Sequence, residues 1–242
     1  MTMVILDRLF SLIFPPRCAC CRQYLSIPAK GLLCSNCQSL ITPLNGPECS
    51  CCGRPFVSQS GMDHLCSACS LKKPPFSRAC SMFLYEKTIR ELIHRYKYHG
   101  DTYAMRALVV LSRKQLIECR RKLGCDLDVW VLPVPLHKKR LRKRGFNQSL
   151  VLARKIFKRE KVRPDMLFKT RSTPSQTGLS LKERKRNVSG VFSCHEVKPG
   201  KDVIIFDDVF TTGATAAAAA RVVKEAGARR VFVLTLARTP EV

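Results

Sequence analysis

The chain has 242 residues, enough for one or two domains with a sizeable core. Its 43 lysines and arginines stand against 18 acidic residues, so the formal net charge is +25. That excess is more than solubility requires and indicates a polyanionic partner or substrate. No apolar stretch is long enough to span a bilayer, which argues against an integral membrane protein.

The N-terminal segment Met1–Phe14 is apolar but short, and it contains Asp7 and Arg8. No small-residue cleavage site precedes Pro15 and Pro16, so the segment favours an amphipathic docking helix over a signal peptide. Fourteen cysteines in a chain without an export signal indicate metal binding rather than disulfides.

Eleven of the fourteen cysteines lie before residue 81, and most of them form C-x-x-C pairs. Two thiolates separated by two residues can hold one face of a zinc tetrahedron, and a second pair completes it. The intervals between partner pairs are typical of small zinc ribbons, and a segment with so few core aliphatics needs metal to fold. The predicted zinc ligands are Cys18, Cys21, Cys34, Cys37, Cys49, Cys52, Cys66 and Cys69.

The simplest pairing places the first four of these cysteines in one site and the last four in a second. The sequence also allows interleaved pairing, or the loss of metal from one site, so we expect one or two structural zinc ions. Cys20 and Cys51 are alternative ligands beside the first pair of each site, and Cys80 is left over. A set of buried or oxidised thiols is the competing interpretation, which four evenly spaced pairs disfavour.

After a linker at Lys72–Phe76, apolar spacing predicts a strand at Ala79–Tyr85. Two helices are predicted at Thr88–Tyr98 and Tyr103–Leu123, and a core strand closed off by prolines at Val129–Val134. The linker divides the chain into two expected domains. Residues 1–72 form the N-terminal helix and double zinc ribbon, and residues 77–242 form the second domain.

A basic segment follows the predicted core strand, and six of the seven residues from Lys138 to Arg144 are lysine or arginine. We interpret it as a loop that binds an anion, because like charges packed this closely repel one another without one. A solvated cationic helix face is the alternative. Six cationic side chains are more than one small anion needs. Their number suits a nucleic-acid backbone, where each neutralised phosphate releases a counterion. The candidate residues are Lys138, Lys139, Arg140, Arg142, Lys143, Arg144, Asn147 and Gln148.

A helix with a basic outer face is predicted at Ser149–Arg159, followed by the polar stretch Asp165–Phe192. The apolar flanks of this stretch, Met166–Phe168 and Val188–Phe192, are predicted to pair as strands around a long loop. Long loops of this composition are commonly lids, which makes Arg184 and Asn187 candidates to reach a bound ligand. A disordered connector is the alternative.

The strongest pattern in the chain is Val203–Thr215. Its apolar, β-branched run predicts a strand buried on both faces that ends at Asp207 and Asp208. A Thr/Gly turn and an alanine-rich helix at Thr212–Ala226 follow, and a last buried strand is predicted at Arg230–Ala237. Backbone amides at a helix start, with threonine hydroxyls beside them, form an anion site. The two carboxylates instead suit vicinal sugar hydroxyls, or Mg²⁺ held through water.

Three competing interpretations fit this stretch less well. A Walker B strand requires a G-x-x-x-x-G-K-[ST] loop, which the sequence lacks, and a phosphatase motif requires D-x-D spacing. A plain buried strand would make two adjacent carboxylates costly to hold.

The pattern resembles the ribose-phosphate loop of type I phosphoribosyltransferases. The resemblance implies that Asp207 and Asp208 hold the 2′ and 3′ hydroxyls of phosphoribosyl pyrophosphate (PRPP), and that Thr211–Thr215 wraps its 5′-phosphate. It also implies that the basic segment meets the pyrophosphate, which carries Mg²⁺. Asp207, Asp208 and Arg184 are then the candidate catalytic residues. The implied PRPP-binding residues are Asp207, Asp208, Val209, Phe210, Thr211, Thr212, Gly213, Ala214 and Thr215.

Together the motifs resemble the ComF/GntX family of competence-related, phosphoribosyltransferase-like proteins. One position departs from the family, since many members carry glycine after the first C-x-x-C pair and this chain has Arg22. Besides the cysteine pairs, the matching residues are Pro133–Leu136, Arg144–Gln148, Gln176 with Leu179 and Ser180, Arg184 with Asn187 and Val188, Asp207–Thr215, and Thr235–Arg238.

The resemblance implies an α/β fold of the type I phosphoribosyltransferase kind, with a twisted, mainly parallel sheet flanked by helices and preceded by a small zinc-ribbon domain. It implies cytoplasmic handling of single-stranded DNA during natural transformation, with PRPP and proteins of the DNA-uptake machinery as partners. The alternative is an active phosphoribosyltransferase in nucleotide or base salvage, with an unknown acceptor. The charge pattern does not distinguish DNA from RNA, and Phe146, Phe157 and Phe168 are the aromatic residues available for base stacking.

Overall fold

The computed structural model describes residues 15–25, 31–56, 61–125, 128–170 and 190–240. The predicted helix Met1–Phe14 and the candidates Arg184 and Asn187 lie outside these ranges. A short 3₁₀ turn at Arg159–Lys161 accompanies the regular elements. Those elements are α1 (Ser35–Ser39), α2 (Ser67–Leu71), β1 (Arg78–Leu84), α3 (Lys87–His99), α4 (Thr102–Leu123), β2 (Trp130–Pro133), α5 (Lys138–Arg144), α6 (Gln148–Ile156), β3 (Leu167–Lys169), β4 (Phe192–Cys194), β5 (Asp202–Phe210), α7 (Ala214–Glu225) and β6 (Arg230–Arg238).

Four strands form one parallel sheet in the order β1-β6-β5-β2. Side chains of the central strand β5 alternate between its two faces. Ile204 and Phe206 enter the core shared with α3, α4 and α6, whereas Val203 and Ile205 enter the core shared with α7. Burial on both faces accounts for the uninterrupted apolar run in the sequence. The α/β class with a parallel sheet flanked by helices is therefore confirmed.

The predicted helices and strands of this sheet are present, with ends shifted by a few residues. Helix α7 packs closely on the sheet because small side chains face it, and Ala219 and Ala220 are fully buried. Among the described residues, no helix is both long and apolar enough to cross a membrane.

Strand β5 does not end at the acidic pair, as the sequence predicts, but continues to Phe210. The reason is that β6 runs to Arg238 and supplies pairing partners over this length. Asp207 lies opposite Thr235, and Phe210 lies opposite Arg238. The acids are therefore held in a paired strand, whose backbone is more rigid than that of a loop.

The basic segment was predicted to be a loop, but it forms helix α5. The His137 ring Nδ1 accepts a hydrogen bond from the Lys139 amide at 3.2 Å, which caps the N-terminal end. Gly145 ends the helix with a left-handed φ of 82°. Lysine and arginine are good helix formers, and these two caps stabilise a helix of only seven residues despite its charge.

The apolar flanks of the predicted lid do pair as strands. β3 and β4 form a two-stranded antiparallel sheet in which Leu167 lies opposite Cys194. The observed strands are shifted by a few residues from the predicted ones, and residues 171–189 between them lie outside the described ranges.

The cysteine-rich region packs along the outer edge of β1. The Leu44 amide donates to the Met82 carbonyl at 3.0 Å, and the Leu84 amide donates to the Thr42 carbonyl at 2.9 Å. The Ala79 amide donates to the carbonyl of Cys51 at 2.7 Å. These bonds pair backbone groups that an edge strand would otherwise expose.

Candidate functional site

A cavity of about 680 Å³ opens at the carboxyl ends of β2, β5 and β6. Ligands of open parallel sheets bind at this edge, outside the ends of the strands. The walls come from the turn between β5 and α7, from helices α3 and α5, and from strands β3 and β4. The charged residues on the walls are Lys97, Arg140, Lys143, Arg144, Lys169, Asp207 and Asp208.

The turn between β5 and α7 directs a helix N-terminus at this cavity, which Gly213 and Thr215 line. Thr212 Oγ1 accepts a hydrogen bond from the amide of Ala214, the first residue of the helix, at 3.3 Å. Gly213 has a φ of 75°, and a Cβ at this position would lie 2.7 Å from the Phe210 ring. Glycine meets both constraints. The positive end of the helix favours an anion such as a phosphate.

Asp207 is held by two hydrogen bonds, from Ser149 Oγ at 2.9 Å and from the amide of Asp208 at 2.9 Å. Removal from water, and then the adjacent Asp208 carboxylate, raise the pKa of Asp207 to about 7, although Lys97 acts in the opposite direction. At neutral pH the residue is therefore divided between its carboxyl and carboxylate forms. Both forms can hydrogen-bond to a sugar hydroxyl.

Asp208 forms an ion pair with Lys97, whose Nζ lies 2.7 Å from Asp208 Oδ2. The lysine side chain is 21% exposed and the aspartate side chain 7%. Burial alone lowers the pKa of Lys97, but Asp208, and to a smaller extent Asp207, raise it overall. The lysine therefore stays charged, and a ligand that binds Asp208 also meets this ammonium group.

Helix α5 and strand β3 add cations to the cavity. Arg140, Lys143 and Arg144 project from α5, and Arg144 Nη1 donates to Gln148 Oε1 at 2.7 Å. Burial, together with the charge of Arg140, lowers the pKa of Lys169 to about 8. The cavity thus combines an acid pair and several cations, which suits a ligand that carries both hydroxyls and phosphates.

The thiols of the predicted zinc ligands form two separate groups in sequential order, not interleaved. The Sγ atoms of Cys21 and Cys34 are 3.8 Å apart, as are those of Cys52 and Cys66. Sulfurs bound to zinc at about 2.3 Å are about 3.8 Å apart in a tetrahedron, so the spacing fits a zinc ion in each group. Within each group all Sγ atoms lie within 4.8 Å, in the first quartet Cys18, Cys21, Cys34 and Cys37 and in the second quartet Cys49, Cys52, Cys66 and Cys69.

Backbone amides point at the first thiol of each quartet. The Cys34 amide lies 3.4 Å from Cys18 Sγ, and the Cys66 amide lies 3.3 Å from Cys49 Sγ. Burial opposes ionisation, but these and further amide donors lower the pKa of both Cys18 and Cys49 to about 6. The thiolate is the form that binds zinc, so the backbone prepares both quartets for a structural ion.

Known proteins resemble this chain over most of its length. A family model for a double zinc ribbon domain matches residues 9–70. The chain is 33% identical over 231 residues to DNA utilization protein YhgH of Shigella flexneri, an alignment that covers 94% of this chain and 99% of the relative. It is 30% identical over 228 residues to competence protein F of Haemophilus influenzae, covering 92% and 96%.

The chain belongs to the ComF/GntX family. Competence protein ComFC of Bacillus subtilis is a more distant relative, 26% identical over 219 residues, with 86% of this chain and 84% of the relative covered.

In this ComF/GntX protein, Arg22 follows the first C-x-x-C pair, at the position where the resemblance predicts glycine. Arg22 has a φ of 67°, in the left-handed region that few non-glycine residues adopt. Gly53, after the first pair of the second quartet, has a φ of 68°, and its Cβ would lie 2.5 Å from the Ala79 carbonyl oxygen. Arg22 keeps the same turn as a glycine would, and its guanidinium reaches Asp101 at 2.6 Å.

Most of the predicted PRPP-binding residues line the cavity of this ComF/GntX protein. Thr212 and Ala214 belong to the turn but do not line it. Asn147 instead caps α6 and donates to the Val134 carbonyl at 3.1 Å. The predicted residues on the cavity wall are Asp207, Asp208, Val209, Phe210, Thr211, Gly213, Thr215, Arg140, Lys143, Arg144 and Gln148, whereas Lys138, Lys139 and Arg142 are exposed outside it.

Sequence reasoning missed three residues of this site, Lys97, Ser149 and Lys169. Lys97 had a signal, because it follows Ile89 and Ile93 at helical spacing and so places a lysine on the buried stripe of α3. Lys169 had no such signal in the sequence, because β3 has only three residues and so shows no clear alternation of apolar and polar side chains. Ser149 starts a helix, where a serine is ordinary.

Proposed function

We propose that this ComF/GntX protein binds a 5-phosphorylated pentose, with PRPP as the free ligand, and binds single-stranded DNA on the adjoining basic surface. Its role would be the cytoplasmic handling of DNA during natural transformation. One observation carries the proposal, namely that an acid pair, a glycine turn at a helix N-terminus and several cations share one cavity. The names of the relatives, DNA utilization protein and competence protein, support the role in DNA handling.

In this proposal the 5′-phosphate lies at the N-terminus of α7, beside Gly213 and Thr215. The vicinal hydroxyls of the pentose donate to Asp207 and Asp208, in place of water. The pyrophosphate lies among the cations of α5 and β3, and Mg²⁺ neutralises part of its charge. Asp208 is already paired with Lys97. We therefore expect Mg²⁺ to arrive with the pyrophosphate and not to bind the protein alone.

The proposed binding of DNA relies on the outer face of α5. Lys138, Lys139 and Arg142 are exposed there, beyond the cations that line the cavity. A phosphate backbone that crosses this face would release counterions from each neutralised phosphate.

Base stacking would use Phe168 and Tyr98, which are 38% and 59% exposed. Tyr98 also lies under Arg144, whose guanidinium carbon is 5.4 Å from the ring centroid. The other two candidate phenylalanines are partly buried against the core, where the Phe146 ring contacts Tyr96 and the Phe157 ring meets Phe206 edge-on. Exposed aromatic and arginine planes beside a cationic surface suit single strands, whose bases are accessible.

A salt titration tests the DNA proposal with a matched control. The test variant replaces Lys138, Lys139 and Arg142 with glutamine, and the control replaces three exposed cations of α4 with glutamine: Arg106, Arg113 and Lys114. Wild type should lose affinity for single-stranded DNA steeply with salt, and each lost phosphate contact should reduce the log–log slope by about 0.7. A flat wild-type slope, or equal effects of the two variants, would sink the proposal.

A catalytic role is the second candidate, and the cations of the cavity favour it. An acceptor nitrogen would attack C1 of PRPP while the C1–O bond to pyrophosphate breaks, and the leaving group would take up the bonding electrons beside Arg140 and Lys169. The proton of the acceptor nitrogen would pass to water. Release of pyrophosphate across a panel of nucleobases is the assay. PRPP binding without any pyrophosphate release leaves the protein as a binding module and rules this candidate out.

A further inference from the structure

Arg238 is the last residue of β6. It belongs to the stretch Thr235–Arg238, which resembles the ComF/GntX family but has no role in the proposed function. Its side chain is buried, with the residue only 3% exposed. Nη1 donates to the carbonyl oxygen of Cys52 at 2.8 Å, and Nη2 lies 4.0 Å from Cys52 Sγ. Since Cys52 belongs to the second quartet, this guanidinium touches the backbone and sulfur of a zinc-ligand residue.

The other side of the same guanidinium faces the phosphate-binding turn. Its central carbon lies 4.6 Å from the centroid of the Phe210 ring. That ring in turn occupies the space beside Gly213, where a Cβ would lie 2.7 Å from it. The Phe210 carbonyl also accepts from the Thr239 amide at 3.0 Å, which fixes the backbone on which the ring is mounted.

We propose that Arg238 is a positioning residue that couples the second quartet to the phosphate-binding turn. A zinc ion in this quartet fixes Cys52, Cys52 holds the guanidinium over Phe210, and the Phe210 ring holds the left-handed turn at Gly213. The affinity of the turn for a phosphate then depends on the metal of the second quartet. The consequence for ligand binding rests on the proposed function, whereas the mechanical coupling does not.

The first quartet has different neighbours. The Cys37 carbonyl accepts from Thr88 Oγ1 at 2.8 Å, and the Cys20 carbonyl beside this quartet accepts from Arg95 Nη1 at 2.8 Å. Both partners lie on α3, so these hydrogen bonds connect the first quartet to that helix. The two quartets therefore give a matched comparison within one chain.

Arg230 provides a control on the same strand. It lies at the other end of β6, where its guanidinium carbon is 5.2 Å from the centroid of the Phe232 ring and its side chain pairs with Asp202. Both arginines thus contact a phenylalanine ring and one further group, the Cys52 carbonyl for Arg238 and the Asp202 carboxylate for Arg230. Arg230, however, is at the end of the strand away from the turn.

The experiment compares Arg238→Gln, Arg230→Gln and wild type by amide hydrogen exchange of peptides covering residues 211–215, with zinc content measured alongside. We expect Arg238→Gln to retain both zinc ions and to exchange about tenfold faster at the turn, because the group that holds the Phe210 ring beside Gly213 loses its charge-assisted hydrogen bond to Cys52. Arg230→Gln should exchange at the wild-type rate in these peptides. Equal exchange in the two variants overturns the proposal.

A second pair of variants tests the metal directly. Cys66→Ser with Cys69→Ser removes the second quartet, and Cys34→Ser with Cys37→Ser removes the first. Only the former should accelerate exchange at residues 211–215, and equal acceleration overturns the coupling. If Arg238→Gln does not fold, Arg238→Lys takes its place in the first comparison, since it keeps the charge but loses the guanidinium fork.

Calorimetric titration of PRPP into the same proteins separates this inference from the proposed function. Weaker PRPP binding by Arg238→Gln than by Arg230→Gln supports the coupling in its functional form. Wild type that binds no PRPP would contradict the proposed function, while faster exchange at the turn in Arg238→Gln would still support the coupling.

Discussion

Replacing Lys97 by methionine should destabilise the protein markedly, because it leaves Asp208 without its cation. The atoms of the pair are 2.7 Å apart, and the aspartate side chain is only 7% exposed. The gross Coulomb energy at this distance is about 6 kcal/mol for an effective dielectric constant of about 20. Removing one partner of a buried pair costs about 3–5 kcal/mol. Since the lysine side chain is 21% exposed, we expect the lower end, about 3 kcal/mol.

Thermal unfolding and urea titration measure this loss, which should lower Tm by about 6–12 °C. Combining Lys97→Met with Asp208→Asn should recover part of it, because the second change removes the unpaired charge. We expect a coupling energy of about 2 kcal/mol in the double-mutant cycle. The surface pair Arg121–Glu118 is the control, with side chains 74% and 31% exposed, and its coupling should be much weaker because water and salt screen it. Additive effects of Lys97→Met and Asp208→Asn would refute the reasoning.

Three further predictions concern the cavity. Gly213→Ala should cost more than about 2 kcal/mol in urea unfolding and should also weaken PRPP binding, since it adds a clash with Phe210 to backbone strain. Gly145→Ala, at a φ of 82° with no atom within 4 Å of its Cβ, should cost only the backbone strain, about 1 kcal/mol. Equal losses of stability in the two variants would contradict the clash with Phe210. The folded pKa of Asp207 is about 7, above its usual value, so its stabilising contribution is complete below about pH 4 and is lost as the pH rises through 7. Asp207→Asn should flatten this part of the plot of unfolding free energy against pH. An unchanged plot would mean that Asp207 is ionised throughout. PRPP affinity should fall as the pH rises through about 8, where Lys169 loses its proton. Lys169→Arg should bind PRPP with a flatter pH profile. The same profile in both proteins would exclude Lys169 as a residue that binds PRPP.

The sequence predicted the parts of the fold that depend on local pattern. The apolar run before Asp207 and the alanine-rich helix after Gly213 have compositions that fit few other structures, and both elements are present. The extension of β5 to Phe210 was missed because it depends on pairing with β6, which local pattern does not reveal. The basic segment was predicted as a loop because the caps at His137 and Gly145 went unrecognised.

The candidate site was predicted only in part, because its walls come from distant parts of the chain. Lys97 lies 2.7 Å from Asp208 although α3 and β5 are far apart in sequence. The contact depends on how α3 packs on the sheet, and no motif encodes that packing. Arg238 illustrates the same limit, because its position between Cys52 and Phe210 follows from the way the cysteine-rich region meets β6.

Calorimetric titration of PRPP and ribose 5-phosphate is the most direct test of the central claim, that the acid pair and the turn beyond it hold a phosphorylated pentose. Wild type should bind both ligands, and PRPP more tightly because its pyrophosphate adds contacts. The variant Asp207→Asn with Asp208→Asn should stay folded but lose at least about a hundredfold in affinity, since the two carboxyl groups that accept from the sugar hydroxyls are removed. Absence of binding by wild type, or undiminished binding by the folded double variant, would contradict the claim.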